Sequence, residues 1–101
     1  MVGEFEYLVL SAAARLGDQA YGAAIRRVLA EEGRSASIGA LYTTLDRLEQ
    51  RGLIRSWMGE PTQERGGRAK RMVALTTQGV QGAKTFYNAV QRVSRGVSWA
   101  K

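Results

Sequence analysis

At 101 residues the chain makes one domain, and having neither cysteine nor histidine it lacks a thiolate nucleophile, a serine–histidine pair and a Cys/His metal site. Its make-up, 45% hydrophobic and 24% charged, suits a globular protein, and no apolar run approaches the roughly 18 residues of a membrane span. The net charge of +6 is lopsided: residues 1–50 carry seven acids and five bases, residues 51–101 two acids and ten bases, and such a split points to a polyanionic partner, nucleic acid first.

The first helix is predicted from Glu4 to Leu16, with Gly17 as its terminator. Phe5, Leu8, Val9, Ala12 and Leu16 form an apolar stripe at spacings of three and four. Val2, Leu10, Ala13 and Ala14 leave a second apolar face, which in so small a domain calls for a second partner. Asp18 is the expected cap of a second helix over residues 20–32, whose buried stripe is Ala24, Ile25, Val28 and Leu29. Ser37 is a good N-cap for a third helix reaching Arg51 and stopped by Gly52. Ile38, Leu41, Tyr42, Leu45 and Leu48 are placed on its buried face; Gly39, Thr43, Thr44, Asp46, Arg47 and Gln50 occupy the rest.

The period then changes from about 3.6 to two. Residues 53–58 and 71–76 read as two strands, separated by the polar, basic stretch GEPTQERGGRAK, which is too long for a tight turn. Trp57, inside the first strand, reads as packing material. Thr76 or Thr77 caps a last helix running to near the C-terminus. Its Ala83, Phe86, Val90, Val93, Val97 and Ala100 follow a heptad seam, shorter than three heptads and weakened by Gly82 and Gly96. That seam is expected to dock on a partner helix, most simply that of a second copy.

Helix, helix, helix, hairpin, helix is the order of a winged helix-turn-helix. The expected fold is therefore mainly α with a small β-hairpin: a winged-helix domain over residues 1–76, with the wing at 53–76, and a C-terminal dimerisation helix over 77–101. In such folds the helix after the turn lies in the major groove, which is about 12 Å wide. Ser37, Gly39, Ala40, Thr43, Thr44 and Arg47 are its candidate DNA contacts. Serine and threonine can bond phosphates or base edges, small residues allow close approach, and alanine or a threonine methyl can meet a thymine methyl. Arg65, Arg68, Lys70 and Arg71 crowd the hairpin and are the candidate phosphate contacts, Arg68 and Lys70 foremost. Leu10, Ala13, Ala83, Phe86, Val90, Val93 and Val97 are the candidate dimer interface. The alternative is a winged helix used for protein interaction without DNA binding; a carboxylate enzyme is a third reading, for which no paired acids in a cleft can be identified. Neither cofactor nor metal is expected. The opening MVGEFEY has acids where a secretory signal has bases, so a cytoplasmic location is expected.

The strings EFEYLVL, AYGAAIRR, SIGALYTTLDRLEQRGLI and GEPTQERGGRAKRMVALTTQG resemble the PadR family of bacterial transcriptional regulators, over about residues 4–80. The resemblance implies a dimeric winged helix that represses transcription at operator DNA, with Tyr42 combining core packing and a phosphate contact. A single C-terminal helix resembles the short members of that family. Ala36 and Met72 depart from the pattern, where a more polar and an aromatic residue are expected. Some multidrug-binding relatives hold a flat aromatic ligand at the dimer centre, which makes Trp99 the candidate effector contact, with Phe86 and Tyr87 behind it; the plain alternative is an interface or surface tryptophan.

Overall fold

The computed structural model describes residues 1–61 and 69–100. Helix α1, Glu4–Leu16, has the bounds expected from its apolar stripe. Its first turn is closed by Glu6, whose Oε1 accepts the Gly3 N–H at 2.9 Å. Burial alone pushes the Glu6 pKa up, but the Gly3 N–H and the Arg51 guanidinium outweigh it and hold the carboxyl below its ordinary value.

A short 3-10 turn, Gly17–Gln19, follows, and Asp18 lies in it rather than capping the next helix. Helix α2 is Gly22–Glu31, starting two residues later than expected, with Tyr21 as an N-cap that makes no side-chain bond. The delay has a long-range cause. Ala20 and Tyr21 are extended because they pair with the second hairpin strand: the Val73 N–H donates to Ala20 O at 3.0 Å, and Tyr21 bridges Met72.

Helix α3, Ile38–Gln50, is capped by Ser37, whose Oγ accepts the Ala40 N–H at 3.0 Å. Strands β1, Ile54–Pro61, and β2, Ala69–Leu75, pair antiparallel from Ile54↔Leu75 to Met58↔Arg71, with a register shift between Met58 and Pro61. Pairing therefore extends into the stretch read as loop. Helix α4, Thr77–Val93, is capped by Thr76, whose Oγ1 accepts the Gly79 N–H at 3.1 Å and donates to Gly52 O at 2.6 Å. It ends earlier than expected. The Val90 carbonyl accepts both the Ser94 N–H, at 3.0 Å, and the Ser94 hydroxyl; beyond it the Arg95 N–H bonds three residues back, to Arg92 O at 3.4 Å, and the chain turns at Gly96 (φ 86°), so Val97 and Ala100 fall outside the helix and the heptad seam is cut short.

Val9, Leu10, Ile25, Leu41, Leu45 and Leu48 are fully buried where α1, α2 and α3 meet, and Ile54 and Val73 bring the hairpin onto the same core. This is a winged helix-turn-helix. Among the described residues no helix is long and apolar enough to cross a membrane. Helix α4 is attached to the rim: Phe86 stacks on Tyr7 with ring centres 4.8 Å apart, and Gly79 is its one buried residue.

A side chain at Gly79 would run into the carbonyl oxygen of Leu53, a backbone atom that cannot give way, whereas one at Gly39 would meet open space. Glycine to alanine inside an exposed helix ordinarily stabilises by about 1 kcal/mol. Gly39→Ala is expected to hold or raise the melting temperature, and Gly79→Ala to lower stability by about 1–3 kcal/mol through overpacking. Equal melting temperatures for the two variants contradict the described seat of α4.

Candidate nucleic-acid interface

Helix α3 buries Leu41, Thr44, Leu45 and Leu48, a stripe at spacings of three and four, and leaves Ser37, Gly39, Ala40, Thr43 and Arg47 exposed. Two expectations change. Thr44 is only 6% exposed, because it shares the Leu41 and Leu48 face, so it leaves the set of candidate DNA contacts. Ile38, placed in the core from its spacing, is 57% exposed: it sits in the first turn, ahead of Leu41, the first residue of α3 to reach the interior. Tyr42 is half-buried, its ring in the space that Gly22 leaves open. The loop entering α3 is braced by Arg26, whose Nε donates to Ala36 O at 2.8 Å.

The hairpin is fastened to this helix by one guanidinium. Arg71 contacts Asp46 Oδ1 and Glu49 Oε1, each at 2.9 Å, and donates from Nε to Ser56 Oγ at 3.2 Å. It also lies 5.9 Å above the Tyr42 ring centre. Ser56 Oγ donates to Glu49 Oε1 at 2.7 Å, which closes the network. With its side chain 20% exposed and its donors engaged, Arg71 is a strut and not a free phosphate contact, which corrects its expected role. Strand alternation explains the direction: Arg71 lies two residues from buried Val73 and shares its face. That signal was available in the sequence, but the acids it would meet lie some 22 to 25 residues away and could not be paired from spacing.

Lys70 points the other way, its Nζ 4.2 Å from the Tyr21 ring centre. Arg65 and Arg68 lie outside the described residues. Arg55 is exposed beside Trp57, 5.6 Å from the indole, and Trp57 is itself 46% exposed, so it does not pack in the core as expected.

The second apolar face also changes. Leu10 and Ala13 are 0% and 3% exposed, members of the protomer's own core, which leaves them little surface for a second copy to meet. Apolar residues on two sides of a helix do not tell whether the second side meets α4 of the same chain or another copy; here α4 packs along part of it and Ala14 stays exposed. Between α1 and α4 runs an apolar groove of about 250 Å³ with Leu10 on its floor and Tyr7, Ala14, Val80, Ala83 and Tyr87 along its walls. Phe86 is half-buried on Tyr7, Ala83 and Val97 are half-buried, and Val90 and Val93 are exposed. Trp99 is exposed.

The Ser56 hydroxyl and the Arg71 guanidinium hold the Glu49 carboxyl below its ordinary value of 4.5. A lowered folded-state pKa means that the stabilisation is present above that value and is lost as pH falls through the folded one. Wild-type protein is thus expected to lose melting temperature as pH drops below 4.5, and Glu49→Gln to start lower at pH 7 and to lose less across that window. Parallel pH profiles contradict the strut.

The profile described as "Transcriptional regulator PadR-like family" matches residues 9–85. A PadR family regulator from Eggerthella lenta superposes with a TM-score of 0.69 at 25% identity, over 89% of this chain and 77% of that one. Bacillus subtilis PadR, crystallised in complex with operator DNA, superposes at 0.68 with 26% identity, over 82% of this chain and 46% of its own. A Clostridium difficile PadR family regulator aligns at 0.71 over 91% and 95% of the two chains, at 23% identity, a likeness of fold alone. No curated protein matches by sequence. The match over residues 9–85 takes in the second half of α1, all of α2 and α3, the hairpin sequence and the first half of α4, and the chain belongs to the PadR-like family of transcriptional regulators.

Proposed function

We propose that the chain binds a pseudo-palindromic operator in double-stranded DNA as a homodimer and represses transcription from it, acting by occupancy and not by catalysis. The observation that carries this reading is the outer face of α3. Gly39, Ala40, Thr43 and Arg47 are exposed there, beside a hairpin bearing Arg55 and Lys70. The acids flanking that face are answered by Arg71, which reduces their repulsion of a phosphate backbone. Operator binding by the Bacillus subtilis relative, similar over 82% of this chain, supports it. Arg65 and Arg68 add positive charge to the hairpin sequence.

In the proposed dimer residues 77–101 serve assembly. The surface available is the α1–α4 groove with Val80, Tyr87, Val90 and Val93, exposed apolar groups continuous with Ala83. Two α3 helices then meet successive major grooves about 34–36 Å apart. The exposed ring of Trp99 supports a smaller proposal, a flat aromatic effector bound at the dimer centre.

A dimer neutralising roughly six to ten phosphates loses about 10³–10⁵ in affinity between about 50 and 200 mM salt. A salt slope near zero contradicts DNA binding. Thr43→Ala is expected to change the preferred sequence, and Arg68→Ala to weaken all sequences alike and to lower the slope by about one. If Arg68→Ala alters preference and leaves nonspecific affinity intact, the wing has been misassigned. For assembly, Val90→Glu is expected to move the solution mass from that of a dimer to the 11.1 kDa of one chain. A dimer that survives this change is held by another surface.

A further inference from the structure

We propose that the first two turns of α3 read DNA through the C5-methyl groups of thymines, with Ile38 as the principal contact; this rests on the reading of α3 as the groove-reading helix. Arginine recognises guanine, and asparagine or glutamine recognises adenine, through paired hydrogen bonds at the major-groove edge. From residue 37 to residue 45 the chain reads SIGALYTTL and holds no arginine, lysine, amide or acid. Its hydroxyls discriminate little. Ser37 Oγ already accepts the Ala40 N–H at 3.0 Å, Thr44 is buried, and Thr43 can bond either donor or acceptor edges. The next side chains along the helix are Asp46, which is paired with Arg71 at 2.9 Å, and Arg47.

What these two turns do expose is hydrocarbon. Ile38 is 57% exposed, and Ala40 and the Thr43 methyl lie in the same turns. Beside Ile38, between α3 and the start of α2, is a recess of about 60 Å³ lined by Gly22, Ala23, Arg26, Leu41 and Tyr42. It has room for a methyl group. The one apolar feature a base pair shows in the major groove is the thymine methyl. An isoleucine held in water at the tip of a groove-reading helix gains by covering it, since burial of apolar surface is favourable.

The test uses the full chain and the duplex it selects most tightly from a random pool, with each thymine replaced singly by deoxyuridine, which removes only the methyl. At least one position in each half-site is expected to lose about fourfold or more in affinity, the equivalent of one buried carbon. Ile38→Ala, at a surface position, is expected to keep the wild-type melting temperature and to abolish the uracil penalty there. If no uracil substitution weakens binding beyond twofold, or if the penalty persists in Ile38→Ala, the methyl proposal is wrong while DNA reading by α3 stands. If no duplex is bound with a salt-dependent affinity, the reading beneath it fails as well.

Discussion

A helix has one circumference to divide between core and solvent, and α3 gives a full stripe of it to the core. Leu41, Leu45 and Leu48 are completely enclosed and Thr44 nearly so, packed with Val9 and Leu10 of α1 and Ile25 of α2. Removing one such leucine costs about 2–5 kcal/mol, a large part of what a small domain has in hand. The rotation of α3 about its axis is therefore not adjustable. Which residues remain outside follows from that packing: small, methyl-bearing side chains at the start and Arg47 further on.

The hairpin adds a second fixed direction. Strands in a two-stranded sheet are marginal alone. This sheet is held by Ile54 and Val73 from below, by the Ala20–Tyr21 segment along β2, and by Arg71 against α3. Isolated surface ion pairs contribute little, but Arg71 is four-fifths covered and meets three partners and an aromatic ring, which makes it a network and not a lone pair. The same contacts offset one of the two negative charges that Asp46 and Glu49 place beside the α3 face. Elsewhere Arg15, Arg34 and Arg51 pair with Glu32, Glu4 and Glu6. Among the described residues the basic side chains outside these pairs are spread over α2 (Arg26, Arg27), α3 (Arg47), the hairpin (Arg55, Lys70) and α4 with the turn after it (Lys84, Arg92, Arg95), so the imbalance between the halves of the sequence overstates what one surface can use.

Local signals were legible and long-range ones were not. The bounds of α1 and α3 follow from caps, terminators and stripes within a single segment, and the structure reproduces them. The late start of α2 depends on Val73, some fifty residues on; the early end of α4 is a local exception, set where the chain turns at Gly96. Binary patterning separated the two faces of α3 except at their margins. Threonine can be either polar surface or core, and the structure makes Thr44 core; isoleucine reads as core, and the first-turn geometry leaves Ile38 outside. Leu10 and Ala13 were ambiguous for a different reason: their burial was evident, but which partner buries them was not.

In the proposed complex α3 meets DNA with its exposed face while α1 and α4 meet another copy. The most direct measurement is an NMR titration of the full chain with its selected duplex, following backbone amides. The largest shifts are expected at residues 38–43 and 47 on α3 and at residues 55 and 70 on the hairpin, with residues 80–93 of α4 little changed. Shifts concentrated on α4 and the α1 groove, with α3 silent, would contradict it.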